Sequence, residues 1–439
     1  MKDFILKRYK DIILVILVFL ITLCLSIFFN NVTFDEVWNY GFSLNISKGL
    51  IPYRDFNMLQ TPFSLFMGSI FIRLFGERII SVDILNSFVI TVSFFLLYKI
   101  LGYKAFLLYP LFVLYTVFGY NSFCLLLLII ILTFIVGKKD YNTILGILIG
   151  ICFITKQTIG VCLFVPYFYY SKNRFKSIIT FLIPFLVLSI YLIYYDAFYQ
   201  FIDYCFLGML DFGSKNTNVG VLFVVEVIIV IILFIFLFKS GFRDKVLFYI
   251  LSFQIMAFPL SDLYHFLISF LPVIFYILYR VRSKYIMITI GIIFYNIFFI
   301  SLYRNISSNY LVMDDNYLFL KNVGYVFYNN IVSKSDVISS TKDGDYYFII
   351  GPEAYFIKLY SGDVISKYDF LLNGNMGYHG DRRVIQDISQ MCFDHQCQFY
   401  VSKGIVFSAD NQFSKEVYDY VLNHYQFVNG SSYFDIYKS

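Results

Sequence analysis

Thr33-Phe34-Asp35-Glu36-Val37-Trp38-Asn39-Tyr40 follows directly on the first hydrophobic segment of this chain, and the polar run continues through Gly49-Leu50-Ile51-Pro52-Tyr53-Arg54-Asp55-Phe56 to Gln60-Thr61-Pro62. An adjacent acid pair in this place belongs at a membrane surface, because a carboxylate held in hydrocarbon is too costly to keep without a use. The stretch is therefore the first place to look for chemistry. The rest of the chain reads as a scaffold that holds this loop at the outer face of a bilayer.

Composition supports that reading. Of 439 residues, 59% are hydrophobic and only 14% charged, with mean hydropathy +0.72. These values lie far from those of soluble domains and fit a mostly α, polytopic membrane protein. The 40 Tyr and 54 Phe fit an AT-rich coding bias as well as an aromatic binding surface, so the count decides nothing. A net charge of +5 with no basic tract gives no nucleic-acid arm, and membrane lipids are the expected surroundings.

Hydrophobic runs fall at residues 11–30, 79–101, 104–119, 121–137, 142–154, 158–170, 177–195, 220–239, 246–260, 266–280 and 285–303, about eleven crossings. Lys2, Lys7, Arg8 and Lys10 precede the first run, which is too long for a signal-peptide core and reads as a retained span. With the N-terminus cytoplasmic, every second loop is basic: Lys99 and Lys104, then Lys138 and Lys139, then Lys172, Arg174 and Lys176, then Lys239, Arg243 and Lys245, then Arg280, Arg282 and Lys284. An odd number of crossings puts the C-terminal region outside. The runs flanking Thr155-Lys156-Gln157-Thr158 are each short of the roughly twenty residues of a span, and basic residues at both ends favour a short hairpin with Lys156 at its outer apex.

In the first outer loop, Val37, Tyr40, Gly41 and Leu44 recur at helical spacing, with Gly49 as C-terminal cap. A second helix is expected from Thr61 as cap and Pro62 in the first turn, through Phe63, Phe66, Met67 and Ile70, to Gly76. Both read as interfacial helices. Beyond about residue 303 the composition turns polar, with strand-like runs at 345–351, 398–403 and 432–437 and helical patterns near 316–331, 382–391 and 411–424. The alternation gives an extracytoplasmic α/β domain over 304–439, set beside a transmembrane domain over 1–303 whose first outer loop covers 31–78. Cys24, Cys124, Cys152 and Cys162 lie in apolar runs as small hydrophobes. Cys392 and Cys397, with His395 between them, match no common zinc spacing and read as a disulfide or two free thiols.

The first span, Asp35-Glu36, the amphipathic loop helix, the turn Gly49, Pro52, Tyr53, Asp55, Phe56 and the Pro-led helix ending in Phe75-Gly76 together resemble the membrane glycosyltransferases of the GT-C fold. The likeness is to the bacterial branch that includes aminoarabinose transferases and protein O-mannosyltransferases, and it is strongest over residues 31–103. The resemblance implies transfer of a sugar from a polyprenyl-phosphate-linked donor to a glycan, lipid or protein acceptor at the outer face, with an essential acid at the position of Asp35. Gln60-Thr61-Pro62 stands where the aminoarabinose branch has Lys-Pro-Pro, which leaves the donor sugar and its phosphate contacts open.

The residues give the same chemistry independently. Glycosyl transfer from a lipid phosphate needs a base for the acceptor hydroxyl and cations for the departing phosphate. Neighbouring helical residues point about 100° apart, so Asp35 is assigned as base and Glu36 a supporting or metal-binding role; the bland alternative is that the pair only caps a helix. Arg54, Lys156 and His265 are the candidate phosphate ligands, against readings as a solvated charge, a snorkelling lysine and a hydrogen-bonded interface histidine. Tyr53, Asp55, Gln60 and Asp262, with Asn375 and His379 of the Gly374-to-Arg382 turn region, are the expected contacts to sugar or acceptor. No spacing demands a metal, although Mg2+ or Mn2+ at Asp35, Glu36 and a third oxygen is compatible with a phosphate-bearing donor. The rival class is a transporter or flippase of lipid-linked saccharides. It would place ions near the midplane in two matching halves, whereas these cluster at one end.

Overall fold

The computed structural model describes residues 2–29, 34–115, 117–137, 142–210, 220–258, 262–310, 317–320, 324–327, 346–351, 368, 371, 376–378, 380–403, 414–430 and 434–439. In chain order the first helices are α1 (Lys2–Phe29), α2 (Phe34–Ser47), α3 (Phe63–Phe75), α4 (Ile79–Leu101), α5 (Tyr109–Tyr115) and α6 (Tyr120–Val136). There follow α7 (Asn142–Phe153), α8 (Gln157–Tyr170), α9 (Arg174–Tyr194), α10 (Phe198–Ile202), α11 (Val221–Lys239), α12 (Lys245–Phe253), α13 (Leu263–Arg280) and α14 (Lys284–Tyr310). The last part holds β1 (Tyr317–Leu320), β2 (Gly324–Phe327), β3 (Tyr346–Ile350), α15 (Gly380–Asp394), β4 (Cys397–Ser402), α16 (Lys415–His424), β5 (Gln426–Gly430) and β6 (Phe434–Lys438). These residues form two compact units, Met1–Glu36 with Ile80–Leu188 and Asn218–Leu311, and Val37–Ile79 with Ser189–Thr217 and Val312–Ser439.

The first unit is a helical bundle. Among the described residues six helical segments are long and apolar enough to cross a bilayer: Tyr9–Ser26, Ile79–Leu107, Arg174–Tyr194, Val221–Lys239, Leu263–Arg280 and Lys284–Tyr303. The other apolar runs form shorter helices, from the 7 residues of α5 to the 17 of α6. Ile16 and Leu20 on α1, Ile231 and Phe234 on α11, and Ile288 and Ile292 on α14 are exposed. Such continuous apolar faces suit lipid and not water, and this is a membrane protein.

Inside the bundle, Leu128, Leu132, Ile149, Leu163, Phe253 and Leu278 form one apolar core. Close approach of α7, α8 and α9 depends on small residues. A Cβ on Gly160 would meet the Phe153 backbone N and Cα within 2.5 Å, and one on Gly150 would meet the Phe181 carbonyl at 2.3 Å. The expected hairpin is present: α7 and α8 pack together, Tyr167 donating to the Asn142 carbonyl at 2.7 Å, and extended Lys156 (φ −151°) separates them.

In the second unit, α2 ends at Ser47 and Gly49 turns the chain at φ +91°. Helix α3 starts one residue later than the sequence implies. Pro62 (φ −90°) holds the capping position without a side-chain cap, and its carbonyl accepts from Phe66 at 2.9 Å. Thr61 does not cap, because Pro62 itself holds the capping position and Thr61 precedes it by one residue.

The C-terminal part forms a four-stranded sheet in the order β3-β4-β6-β5, with β3 and β4 parallel and the other pairs antiparallel. Phe348, Ile350, Phe399 and Val401 pack with Val384 and Ile388 of α15 and Val417 and Val421 of α16. The Ser414 side chain caps α16 through the Val417 amide, and Cys392 and Cys397 form a disulfide between α15 and β4. The helical expectation over 316–331 is corrected. β1 and β2 pair antiparallel, with Leu320 opposite Gly324. Aromatic residues on both sides of a three-residue connection, with Val326 in the second strand, favour a hairpin over the helical spacing.

Candidate active site

Three expected ligands meet in the first unit. Asp262 caps α13, its Oδ1 accepting from the His265 amide at 2.8 Å. The His265 ring follows one turn later, with Nδ1 2.9 Å from both Asp262 oxygens. A carboxylate only accepts, so Nδ1 carries the proton and Nε2 is left as acceptor. Asn121, near the start of α6, supplies the matching donor: its Nδ2 lies 3.4 Å from His265 Nε2. Its Oδ1 accepts from Lys156 Nζ at 3.2 Å, closing a polar chain Lys156–Asn121–His265–Asp262.

The surroundings sharpen the electrostatics of this chain. Lys156 is half-buried, with Nζ 3.3 Å from Met256 Sδ and 5.0 Å from the centre of the Tyr120 ring. His265 is buried, whereas the Asp262 side chain is 48% exposed. Burial pushes the Asp262 carboxyl up, but the hydrogen bonds from the His265 ring and from the His265 and Tyr264 amides outweigh it and hold the group below its usual range. The result is a cation beside an aromatic face and next to an oriented imidazole, which can receive a phosphate oxygen.

The first-loop candidates have other partners. Asp55 folds back to accept from the Ile51 amide at 2.7 Å. Its two oxygens also take the fork of exposed Arg54, Nε at 2.7 Å and Nη2 at 2.9 Å, while Arg54 Nη1 reaches the Tyr195 carbonyl at 3.4 Å. Burial raises the Asp55 carboxyl, and the Arg54 and Ile51 hydrogen bonds bring it below the ordinary value. Tyr53, at φ +71° and fully buried, donates to the Gln60 carbonyl at 2.9 Å, and Gln60 Nε2 donates to Asn39 at 2.8 Å. These bonds give the turn one shape.

Helix α2 begins at Phe34, so the Asp35 backbone is helical, but its side chain is outside the described residues, as are Asn375 and His379. Glu36 is buried and hydrogen-bonds the buried Asp83 of α4, which also accepts from Ser26 at 2.9 Å. Among the described residues no three His, Cys, Asp or Glu converge as a metal site.

Four polar residues were not singled out in the sequence. Asn121 follows Gly119-Tyr120 at the head of an apolar run, and that polar break was its signal. Asp83 and Glu226 are single acids inside otherwise apolar helices; Glu226 is fully buried against Ser269. Asp203 pairs with Arg383 at 2.7 Å and accepts from the Tyr378 amide at 3.2 Å, which ties the segment after α10 to the Gly374-to-Arg382 turn region and α15.

The order and shape of these elements match a solved structure along nearly their whole length. The crystal structure of ArnT from Cupriavidus metallidurans bound to undecaprenyl phosphate aligns with TM-score 0.55 over 97% of each chain, at 10% sequence identity. The chain has the GT-C fold. The resemblance read from residues 31–103 therefore extends, as a fold, over the rest of the molecule. No sequence-family model and no curated protein sequence matches the chain.

Proposed function

We propose that this protein is an integral membrane glycosyltransferase that takes a sugar from a polyprenyl-phosphate carrier and passes it to a cell-envelope acceptor at the outer face. The observation that carries the reading is the Lys156–Asn121–His265–Asp262 chain within a fold whose solved example binds undecaprenyl phosphate. Lys156 steadies the departing phosphate, and Asp262 fixes the tautomer through which His265 orients Asn121 and thereby Lys156. Asp35 takes the proton of the acceptor hydroxyl as the sugar carbon changes partner from phosphate oxygen to acceptor oxygen. In the first loop Arg54, pre-oriented by Asp55, is the group suited to an anionic oxygen. Tyr53 and Gln60 shape the substrate loop, and Asn375 and His379 belong to the acceptor side.

Purified protein incubated with polyprenyl-phosphate sugars tests this by the release of free polyprenyl phosphate. Wild type is expected to release it, with Lys156→Gln strongly impaired. No release from any donor in a panel of pentosyl and hexosyl carriers overturns the proposal. A saccharide-lipid transporter is the second reading, favoured by Glu226, a fully buried acid inside an apolar span. It predicts movement of intact donor across vesicles with no bond cleavage.

A further inference from the structure

The end of the bundle opposite Lys156 carries a second polar hollow. Helix α8 runs 14 residues from its Lys156 cap to Tyr170, and α13 runs 18 residues from its Asp262 cap to Arg280. At ~1.5 Å per residue their far ends lie roughly 20–27 Å from the chain described above. A cavity of about 550 Å³ opens there, lined among the described residues by Lys172, Arg243, Lys245 and Arg280 with one acid, Asp244. That volume falls within the ~300–1,000 Å³ of small-ligand sites.

The one acid is already engaged. Asp244 accepts from the Leu247 amide at 3.1 Å, from the Tyr276 hydroxyl at 2.6 Å and from Arg280. Burial raises its carboxyl, and these bonds bring it below the ordinary range, so it remains ionised and offsets Arg280. Lys172, Arg243 and Lys245 then set the sign of the hollow. Orientation in a membrane requires only that such residues lie near helix ends on one side. It does not require cations from separate loops to converge on one concavity.

The neighbours indicate the level of the hollow in the bilayer. Tyr169, Phe238 and Tyr279, at the same ends of α8, α11 and α13, are 55%, 66% and 38% exposed. Exposed aromatic rings at helix ends mark the headgroup layer, and the basic loops mark its inner side. We propose that this cavity binds the phosphate headgroup of an anionic phospholipid of the inner leaflet. Lys172, Arg243 and Lys245 contact the phosphate, and the aromatic rim meets the upper acyl chains.

Native mass spectrometry of the full chain titrated with phosphatidylglycerol or phosphatidylcholine tests the site. Wild type is expected to favour phosphatidylglycerol at least tenfold. At about fivefold per cation, Lys172→Gln/Arg243→Gln/Lys245→Gln is expected to weaken phosphatidylglycerol binding on the order of a hundredfold. Lys48→Gln/Lys403→Gln/Lys415→Gln, which removes three cations elsewhere, is expected to leave it unchanged. Equal wild-type affinity for both lipids, or full retention by the first variant, overturns the proposal. So does competition by inorganic phosphate as strong as that by lipid, which would make the ligand a free anion. If the triple variant does not fold, wild type photo-crosslinked to a headgroup-labelled phosphatidylglycerol decides. Adducts within residues 142–145, 167–173, 242–249 and 279–280 support the site, and adducts only elsewhere overturn it.

Discussion

Lys156 donates to the Oδ1 of Asn121 at 3.2 Å, across 35 residues of sequence, and so joins the apex of the α7–α8 hairpin to the head of α6. The same carboxamide presents its nitrogen to His265, so three helices hold one cation in one orientation. A lysine that merely snorkelled to the surface would not need this support.

Removing the charge separates the two roles. Lys156→Gln is expected to raise KM for the lipid donor and lower kcat/KM by on the order of 10- to 100-fold, the loss of one charge-assisted contact. Lys156→Arg is expected to keep part of the activity. Asn121→Ala, which breaks the link to His265, is expected to fall between them. Steady-state kinetics on the three variants check this, and a wild-type KM for Lys156→Gln contradicts it.

The Glu36–Asp83 contact predicts tolerance to neutral amides. An amide can still hydrogen-bond the remaining carboxyl, so Glu36→Gln or Asp83→Asn is expected to change thermal stability little. Asp83→Ala leaves Glu36 and Ser26 without that partner in a buried place and is expected to cost about 1–3 kcal/mol. Differential scanning fluorimetry of the detergent-solubilised variants distinguishes these outcomes.

Acid sensitivity follows from Asp55, Asp244 and Asp262, each held below its usual range in the folded state. A group of this kind contributes in full above its unfolded value, about 4, and loses its contribution as pH falls through the lowered folded value. Melting temperature is therefore expected to be flat from pH 7 to 5 and to drop toward pH 3. Asp244→Asn is expected to lessen that drop, since Asp244 has the most hydrogen-bond partners of the three. A rise in stability toward pH 3 contradicts the assignment.

Gly377 lies at φ +85°, and a Cβ there would come within 2.2 Å of Asp203 Oδ2 and 2.4 Å of Arg383 Nη2. Both the left-handed backbone and the Asp203–Arg383 pair oppose a side chain. Gly377→Ala is expected to destabilise by about 1–3 kcal/mol, read as a lower melting temperature or faster limited proteolysis of the C-terminal part.

Much of the fold was legible because hydrophobic period and interruption carry it. The apolar runs, the turn at Lys156 and the strands at 345–351, 398–403 and 432–437 all follow from local pattern. The hairpin at β1 and β2 was misread because its apolar residues fit a helical spacing, and aromatic content with a short connection decides the matter. In the site, Lys156, Asp262 and His265 stood out as rare polar groups beside apolar helices. Asn121 did not, because its role exists only once α6, α8 and α13 meet. Asp83 and Glu226 were hidden for a different reason, since one acid barely changes the mean of an apolar window.

The most direct measurement compares wild type with Asp35→Asn in liposomes carrying a panel of polyprenyl-phosphate sugars, scored by polyprenyl phosphate released per minute. Wild type is expected to turn over at least one donor, and Asp35→Asn to lose on the order of 10²-fold or more. Cleavage at the wild-type rate by Asp35→Asn, or intact donor with every carrier tested, would contradict the assignment of this chain as a lipid-dependent glycosyltransferase acting through Asp35.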